Sequence, residues 1–182
     1  MISFFVPIKK ISKRVKNKNI QKIFNFKLGL TEIKILQLKK FRELIKKNNL
    51  FNKLGFEFII SSDDKRVEKF VKKFDWIKFD KRPKHLAKDD CLEQLILHAS
   101  KVCRGKYILW THVTSPLFNH LSYLDFIRKF IGKSKSYDSS FTAYKLKSFI
   151  YNQNTKKWIS HDRKKNKWPR TQDLDKIYSI NH

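Results

Sequence analysis

The sequence has little cysteine, proline or glycine: 2 Cys, 4 Pro and 4 Gly among 182 residues. So few glycines and prolines exclude collagen-like and low-complexity chains. Cys91 and Cys103 are too few for a disulfide framework and show no CxxC spacing, and the 6 histidines add no structural zinc pattern. These absences favour an ordinary globular protein, and the low cysteine content predicts a reducing, cytoplasmic setting.

Long apolar runs are also missing. The most apolar stretch near the N-terminus, Ile2–Ile8, is interrupted by Ser3 and Pro7. A helix needs about 20 apolar residues to span a bilayer, and a signal peptide carries a basic region before its apolar one. The sequence therefore predicts neither a membrane span nor a secretion signal.

Acidic residues are scarce: 16 Asp and Glu stand against 42 Lys and Arg, for a net charge of +26. Such a charge raises nucleic acid or a membrane surface as partners. However, the bases are 34 Lys and only 8 Arg, spread along the whole chain, whereas base-edge recognition favours Arg. We interpret the charge as a lysine-rich surface that favours anionic ligands. A non-catalytic nucleic-acid-binding protein stays as the alternative, with nucleic acid the less favoured partner.

Short apolar runs alternate with helical patterns along most of the chain. Strands are predicted at 2–8, 56–60, 76–79, 107–110 and 141–146 and near Phe149 and Trp158. Four amphipathic helices are predicted. The first begins at a Thr31 cap and turns Ile35, Leu38, Phe41 and Ile45 inward, and the second runs through Val67, Phe70, Val71 and Phe74. The third begins at Asp90 and turns Leu92, Leu95, Ile96 and Ala99 inward, and the fourth runs through Leu121, Leu124, Ile127 and Phe130. Residues 161–182 read as polar and irregular. This order predicts an α/β fold with three layers, a mostly parallel sheet with helices on both faces.

Ligands of such sheets bind beyond the carboxyl ends of the strands, here segments 9–19, 61–64, 80–90 and 111–116. The first segment is rich in lysine and suits a polyphosphate, although a solvated basic loop is an equal alternative. Helix capping alone explains the hydroxyls and carboxylates of 61–64. A surface loop before a capped helix explains 80–90, and an ordinary turn explains 111–116. Taken singly, none of the four segments identifies a function.

Taken in order, these segments resemble the acylneuraminate cytidylyltransferase family, also called CMP-sialic acid synthetases. The family's first strand and loop read approximately (I/V)P-A/V-R-x-G-S-K-x-(I/V)-x-x-K-N, and the matching text here is VPIKKISKRVKNKN at 6–19. Its V-S-T-D-D resembles ISSDD at 60–64, and its R-P-x-x-L-A-x-D resembles RPKHLAKD at 82–89. Its L-Q-P-T-S-P-L resembles THVTSPL at 111–117, and its P-R-Q-x-L and N-G-A resemble PRTQDL at 169–174 and Asn181. The resemblance covers nearly the whole chain.

The resemblance implies a Rossmann-like nucleotidyltransferase fold, with residues 1–182 as one nucleotidyltransferase domain. It also implies a reaction that transfers CMP from CTP to a sialic-acid-like sugar acid and releases pyrophosphate, with Mg²⁺ as the cofactor. The residues that it assigns to the nucleotide are Lys9, Ser12, Lys13, Lys18, Asn19, Ser61, Arg82 and Asp89. Those that it assigns to the sugar are His112, Thr114, Ser115, Arg170 and Asn181, and the catalytic residues would be Ser12, Lys13 and Arg170.

The chain departs from the family pattern at several positions. Lys9 replaces an Arg, so the guanidinium that could form two parallel hydrogen bonds to a phosphate is lost. Ile11 replaces a Gly, and His112 replaces a Gln. A related nucleotidyltransferase with another acceptor is therefore a further alternative, in which His112 alters the choice of sugar. The text also stops at His182, where family members continue with late Asp metal ligands and a segment of their homodimer interface. We expect both to be missing, which leaves the metal ligands unknown. The chain ends inside a predicted strand, and this favours truncation over two alternatives: that the protein has lost catalysis, or that a partner supplies the missing residues.

Overall fold

The computed structural model describes residues 1–12, 15–48, 51, 53–87 and 91–180. The chain forms two compact units, Met1–Lys129 and Phe130–His182. The candidate site described below is built from residues of the first unit.

A four-stranded parallel sheet is the centre of the first unit. Its strands are β1 (Ile2–Ile8), β2 (Phe56–Ser62), β3 (Ile77–Lys81) and β4 (Tyr107–Trp110), in the order β3-β2-β1-β4. Each neighbouring pair is parallel, with Phe4 opposite both Phe58 of β2 and Leu109 of β4. The helices of the described chain are α1 (Gly29–Lys46), α2 (Lys65–Val71), α3 (Leu92–Val102) and α4 (His120–Lys133). The predicted parallel α/β fold is confirmed.

The core lies on both faces of β1, because successive side chains of a strand point to opposite faces. Phe4, fully buried, packs against Phe41 of α1 and Tyr123 of α4, with ring centroids 5.1 and 5.3 Å away. Phe5, also fully buried, packs on the other face with Leu95 of α3 in one core cluster. Helices therefore cover both faces of the sheet, as the sequence predicts.

Several element ends differ from the prediction. Helix α1 begins at Gly29, so Thr31 lies inside it and does not cap it; its hydroxyl instead donates to the carbonyl of Asn19 at 2.7 Å. The predicted Asp90 start of α3 lies outside the described residues, and the described helix begins at Leu92. Leu92 and Ile96 were predicted to face inward but are 60% and 51% exposed. Only Leu95 and Ala99 of that set reach the core, because a short helix crossing the sheet buries a narrow stripe.

The segment from 61 to 64 joins β2 to α2 through a helix cap. Ser61 and Ser62 belong to β2, which runs two residues further than predicted. Asp64 caps α2, since its carboxylate accepts the backbone N–H of Arg66 at 2.8 Å. The helical pattern predicted through Phe74 stops earlier, because α2 ends at Val71.

The second unit contains two small antiparallel sheets. Strand β5 (Ala143–Leu146) pairs with β8 (Ile177–Ile180), and β6 (Tyr151–Asn152) pairs with β7 (Lys157–Trp158). The prediction of an irregular end is thus wrong for 177–180. A four-residue segment has too short a pattern to reveal a strand, and its partner β5 lies far upstream in the chain.

None of the helices in the described part of the chain is long and apolar enough to cross a membrane.

Replacing Phe4 with alanine should lower the free energy of unfolding by about 3–5 kcal/mol, because it leaves a cavity in the centre of the core. The matched control is Phe24→Ala, since Phe24 is 88% exposed and its loss should change stability by less than about 0.5 kcal/mol. Chemical denaturation of the two variants measures both effects. Equal losses would contradict the central position of Phe4.

Candidate active site

A cleft lies at the carboxyl ends of β1, β3 and β4. It has a volume of about 520 Å³, within the range of about 300–1,000 Å³ usual for small-molecule sites. Its polar lining residues are Lys9, Ser12, Lys18, Asn19, Arg82, Cys91, His112 and Thr114. Its apolar lining residues are Pro7, Ile11, Leu86, Leu92, Leu95, Trp110 and Val113. Most of the predicted site residues in the described chain therefore meet at one place.

The positive charge of the cleft lies in the loop after β1 and in the segment after β3. Three of its described lining residues carry a cation, Lys9, Lys18 and Arg82, and none of them is an Asp or Glu. Ammonium and guanidinium groups form charge-assisted hydrogen bonds with phosphates and carboxylates. An anionic ligand is what these residues are suited to bind.

The loop after β1 is held in place by Asn19, which is 6% exposed. The amide of Asn19 donates to the carbonyl of Lys9 at 2.9 Å, so the two ends of the loop are tied together. Near the start of the same loop, the backbone N–H of Lys10 donates to the carboxylate of Asp63 at 2.9 Å. Hydrogen bonds thus anchor the described start and end of the loop.

The Gly-to-Ile departure in this loop causes no backbone strain. Ile11 is not among the described residues with a positive φ, whereas Asn17 of the same loop has φ 55°. Asparagine is among the residues that adopt this conformation most readily. The backbone at Ile11 therefore does not require a glycine.

Arg82 forms the buried floor of the cleft and is 4% exposed. Its guanidinium donates to Ser61 twice, to the carbonyl at 2.7 Å and to the hydroxyl at 3.3 Å. Burial lowers the pKa of Arg82, and the charges of Asp63 and Asp80 partly oppose that shift. No carboxylate of the described residues forms an ion pair with this guanidinium. Ser61 is fully buried behind Arg82, so it supports the cleft from below its surface.

The wall opposite the basic loop comes from the residues after β4. Trp110 donates its indole N–H to Nε2 of His112 at 3.0 Å, which fixes the position of the imidazole. When His112 is neutral, this bond places its proton on Nδ1, because Nε2 must accept. Thr114 also lines the cleft, whereas Ser115 lies beside it and supplies a carbonyl to Lys34 at 3.0 Å.

The remaining predicted residues fall into two groups. Lys13, Asp89 and Asn181 lie outside the described residues, so their predicted roles stay predictions. Arg170 lies in the second unit, where its side chain donates to Asp173 at 2.8 Å. Its proposed role in catalysis also stays a prediction.

Lys34 is a residue that the sequence analysis missed. It is fully buried in α1, and its ammonium donates to the carbonyls of Ser115 and Phe118 and to the hydroxyl of Tyr123. Burial lowers its pKa to about 8. The helical spacing could have indicated that Lys34 is buried, since it precedes Leu38 by one turn and lies in the same inward-facing stripe of α1.

The described residues do not by themselves form a magnesium site. They contain no group of three His, Cys, Asp or Glu side chains that could hold a metal ion, and no described lining residue of the cleft is a carboxylate. Protein-bound Mg²⁺ usually takes at least one carboxylate in addition to substrate phosphates. The described lining thus supplies cations for an anion and leaves metal ligands unassigned.

A comparison with protein families agrees with this geometry. The sequence profile described as "Cytidylyltransferase" matches residues 4–182, nearly the entire chain. The chain belongs to the cytidylyltransferase family. The comparison with curated proteins gives no match.

As a cytidylyltransferase, the protein is a CTP-using nucleotidyltransferase. The basic cleft at the carboxyl ends of parallel strands is where an enzyme of this fold is expected to bind its nucleotide.

The two cysteines give a test of the cleft. Cys91 lines the cleft, whereas Cys103 packs against the core and burial raises its pKa to about 11. At pH 8 only about one Cys103 in a thousand is a thiolate, which is the reactive form. We expect iodoacetamide to alkylate Cys91 much faster than Cys103, as measured by peptide mass spectrometry over time. The variants Cys91→Ser and Cys103→Ser assign the two rates, and faster labelling of Cys103 would contradict the described cleft.

Proposed function

We propose that this cytidylyltransferase transfers CMP from CTP to a sialic-acid-like sugar acid, of the neuraminic, legionaminic or pseudaminic type, and releases pyrophosphate. The observation that carries the proposal is the cleft, whose described lining has three cations and no carboxylate. Both proposed substrates are anions, one through its triphosphate and one through its carboxylate. The resemblance of the strand-end segments to acylneuraminate enzymes supports the choice of acceptor.

The proposed nucleotide side is formed by the loop after β1 and by the end of β3. Lys9, Ser12, Lys13, Lys18 and Asn19 would hold the triphosphate, and Arg82, Ser61 and Asp89 would shape the cytidine pocket. Lysine ammonium groups suit phosphates because they act as point charges with several donors. The proposed sugar side is the wall after β4, with His112, Thr114 and Ser115.

The proposed chemistry is an in-line displacement at phosphorus. The anomeric hydroxyl oxygen of the sugar acid bonds to the α-phosphorus of CTP, while the bond from that phosphorus to the β-phosphate bridging oxygen breaks. The bond's electron pair leaves with pyrophosphate, and the hydroxyl proton passes to water. Such a reaction depends on positioning and on neutralising charge at the phosphates, which is the proposed work of Ser12, Lys13 and Arg170.

We also propose Mg²⁺ as a companion of the CTP phosphates, with no protein ligand assigned. A cytoplasmic location and a homodimer of the family type belong to the same proposal. The family match over residues 4–182 supports treating the whole chain as one functional nucleotidyltransferase domain.

Nucleotide selectivity is the first test of the proposal. CTP, ATP, GTP and UTP are titrated separately in the presence of Mg²⁺ at low and raised salt, by calorimetry. We expect selective binding of CTP that persists at raised salt, because a buried Arg82 is screened much less than surface lysines. CTP should also slow the alkylation of Cys91, which lines the same cleft.

Equal binding of all four nucleotides that vanishes with salt would contradict the nucleotide pocket. It would favour the alternative of a basic protein that binds nucleic acid through charge alone. If CTP binds, pyrophosphate release is measured with neuraminic, legionaminic and pseudaminic acids and with matched neutral sugars that lack the carboxylate. Turnover of the neutral sugars alone would overturn the sugar-acid assignment.

Replacing His112 with glutamine tests whether this position selects the acceptor. The Gln side-chain carbonyl can accept the Trp110 indole N–H that His112 now accepts at 3.0 Å, so the wall should persist. The group presented to the sugar changes, and we expect the ratio of kcat/KM values between two acceptors to shift about tenfold. CTP affinity should stay the same. His120→Gln, at the start of α4, is the control, and an unchanged acceptor ratio would argue against a role of His112 in selecting the acceptor.

A further inference from the structure

Lys34 ties three parts of the first unit together from behind the cleft. Its ammonium donates to the Ser115 carbonyl at 3.0 Å, to the Phe118 carbonyl at 3.1 Å and to the Tyr123 hydroxyl at 2.8 Å. An ammonium group has three N–H donors, so these three acceptors use all of them. The side chain is fully buried.

The hydrogen bonds of Lys34, called the clamp here, extend to the end of β4 through Tyr123. The Tyr123 hydroxyl also contacts the Thr111 hydroxyl at 2.7 Å, and Thr111 follows β4 directly. Gln37, one turn after Lys34 in α1, adds a bond from its amide to the carbonyl of Pro116. The segment from 111 to 118 is therefore held at its start, its middle and its end by two helices.

The residues between these anchor points line the cleft. His112, Val113 and Thr114, called the acceptor wall here, follow Thr111 and precede Ser115. Lys34 itself is not among the lining residues. Its hydrogen bonds instead act on the segment that carries the acceptor wall.

A buried ammonium destabilises a fold unless its hydrogen bonds are satisfied. No carboxylate of the described residues forms an ion pair with Lys34. An apolar side chain of similar length could fill the same space without that cost. The two bonds to carbonyls of the segment behind the acceptor wall, and the third bond to Tyr123, are what the lysine provides and an apolar side chain does not.

We propose that Lys34 is a positioning residue that sets the acceptor side of the cleft by clamping the segment from Thr111 to Phe118. The inference rests on the proposed function for the identity of the two sides. Lys9 and Lys18 belong to the loop after β1, and Arg82 follows β3, so the proposed nucleotide side is carried by other segments. Loss of the clamp should therefore weaken the acceptor and spare CTP.

The test compares Lys34→Met with Lys40→Met. Methionine keeps the length of the side chain and removes the donors, and Lys40 is an exposed lysine of the same helix. Steady-state kinetics use CTP and N-acetylneuraminic acid as the probe pair. We expect K34M to raise the KM of the acceptor about tenfold or more while the KM of CTP stays within about twofold, because only the acceptor wall loses its support. K40M should match the unaltered protein in both values.

A second readout does not depend on turnover. Hydrogen exchange of the backbone amides from 111 to 118 should be faster in K34M than in K40M, since the carbonyls that anchor this segment lose their donor. Exchange in the loop after β1 should be equal in the two variants. A uniform rise in exchange over the whole unit, or equal increases in both KM values, would mean that Lys34 only stabilises the fold, and the inference would be overturned.

Tyr123→Phe keeps the test decisive if K34M does not fold. It retains the ring packed against Phe4 and removes the hydroxyl shared by Lys34 and Thr111. We expect a smaller change of the same kind, in the acceptor KM and in exchange from 111 to 118. Unchanged values in Y123F would overturn the inference. If the unaltered protein binds no CTP, the proposed function fails, while the exchange experiment still decides whether Lys34 positions the segment.

Discussion

The burial of β1 on both of its faces is the constraint on which the rest of the first unit depends. Phe4 and Phe5 are both fully buried, and they point to opposite sides of the sheet, where different helices cover them. The same strand lies inside the sheet, between its parallel neighbours β2 and β4. Parallel strands end at the same edge, so residues as distant in sequence as Lys9, Arg82 and His112 meet in one cleft.

Two buried cations shape this cleft, one in its lining and one behind it. Each donates its hydrogen bonds to neutral groups and forms no ion pair with a carboxylate of the described chain. Arg82 bonds to the carbonyl and hydroxyl of Ser61 and faces the cleft. Lys34 bonds to carbonyls and to the Tyr123 hydroxyl behind the opposite wall. Neutral partners leave the positive charge of Arg82 available to an anionic substrate. The same choice of partners lets Lys34 hold backbone carbonyls in place, which a lysine paired with a carboxylate could do less well.

Much of the fold was predictable because its signals are local. The apolar run Ile2–Ile8 and the stripe Ile35, Leu38, Phe41 and Ile45 each identify an element without knowledge of the others. Predictions that depended on neighbours were less secure. Leu92 and Ile96 follow the helical period as well as Leu95 does, yet they are exposed because nothing in the described chain packs over them. The four residues of strand β8 form too short an apolar pattern to identify a strand by themselves, and pairing with β5 defines it.

The sequence by itself determined the class of fold, the order of the strand-end segments and, through their motifs, the cytidylyltransferase family, since each depends on residue types at short spacing. Only the tertiary structure decided which of those segments line the cleft and which lie behind it. Ser61 and Ser115 are both predicted from the sequence as binding residues, and packing decides that Ser61 bonds to Arg82 and that the Ser115 carbonyl bonds to Lys34. In the sequence, nothing distinguishes Lys34 from the other lysines, of which there are 34 in all. Its role follows from three hydrogen bonds to residues more than eighty positions away. Such contacts form only when the chain folds, because they join side chains and carbonyls that no local pattern relates.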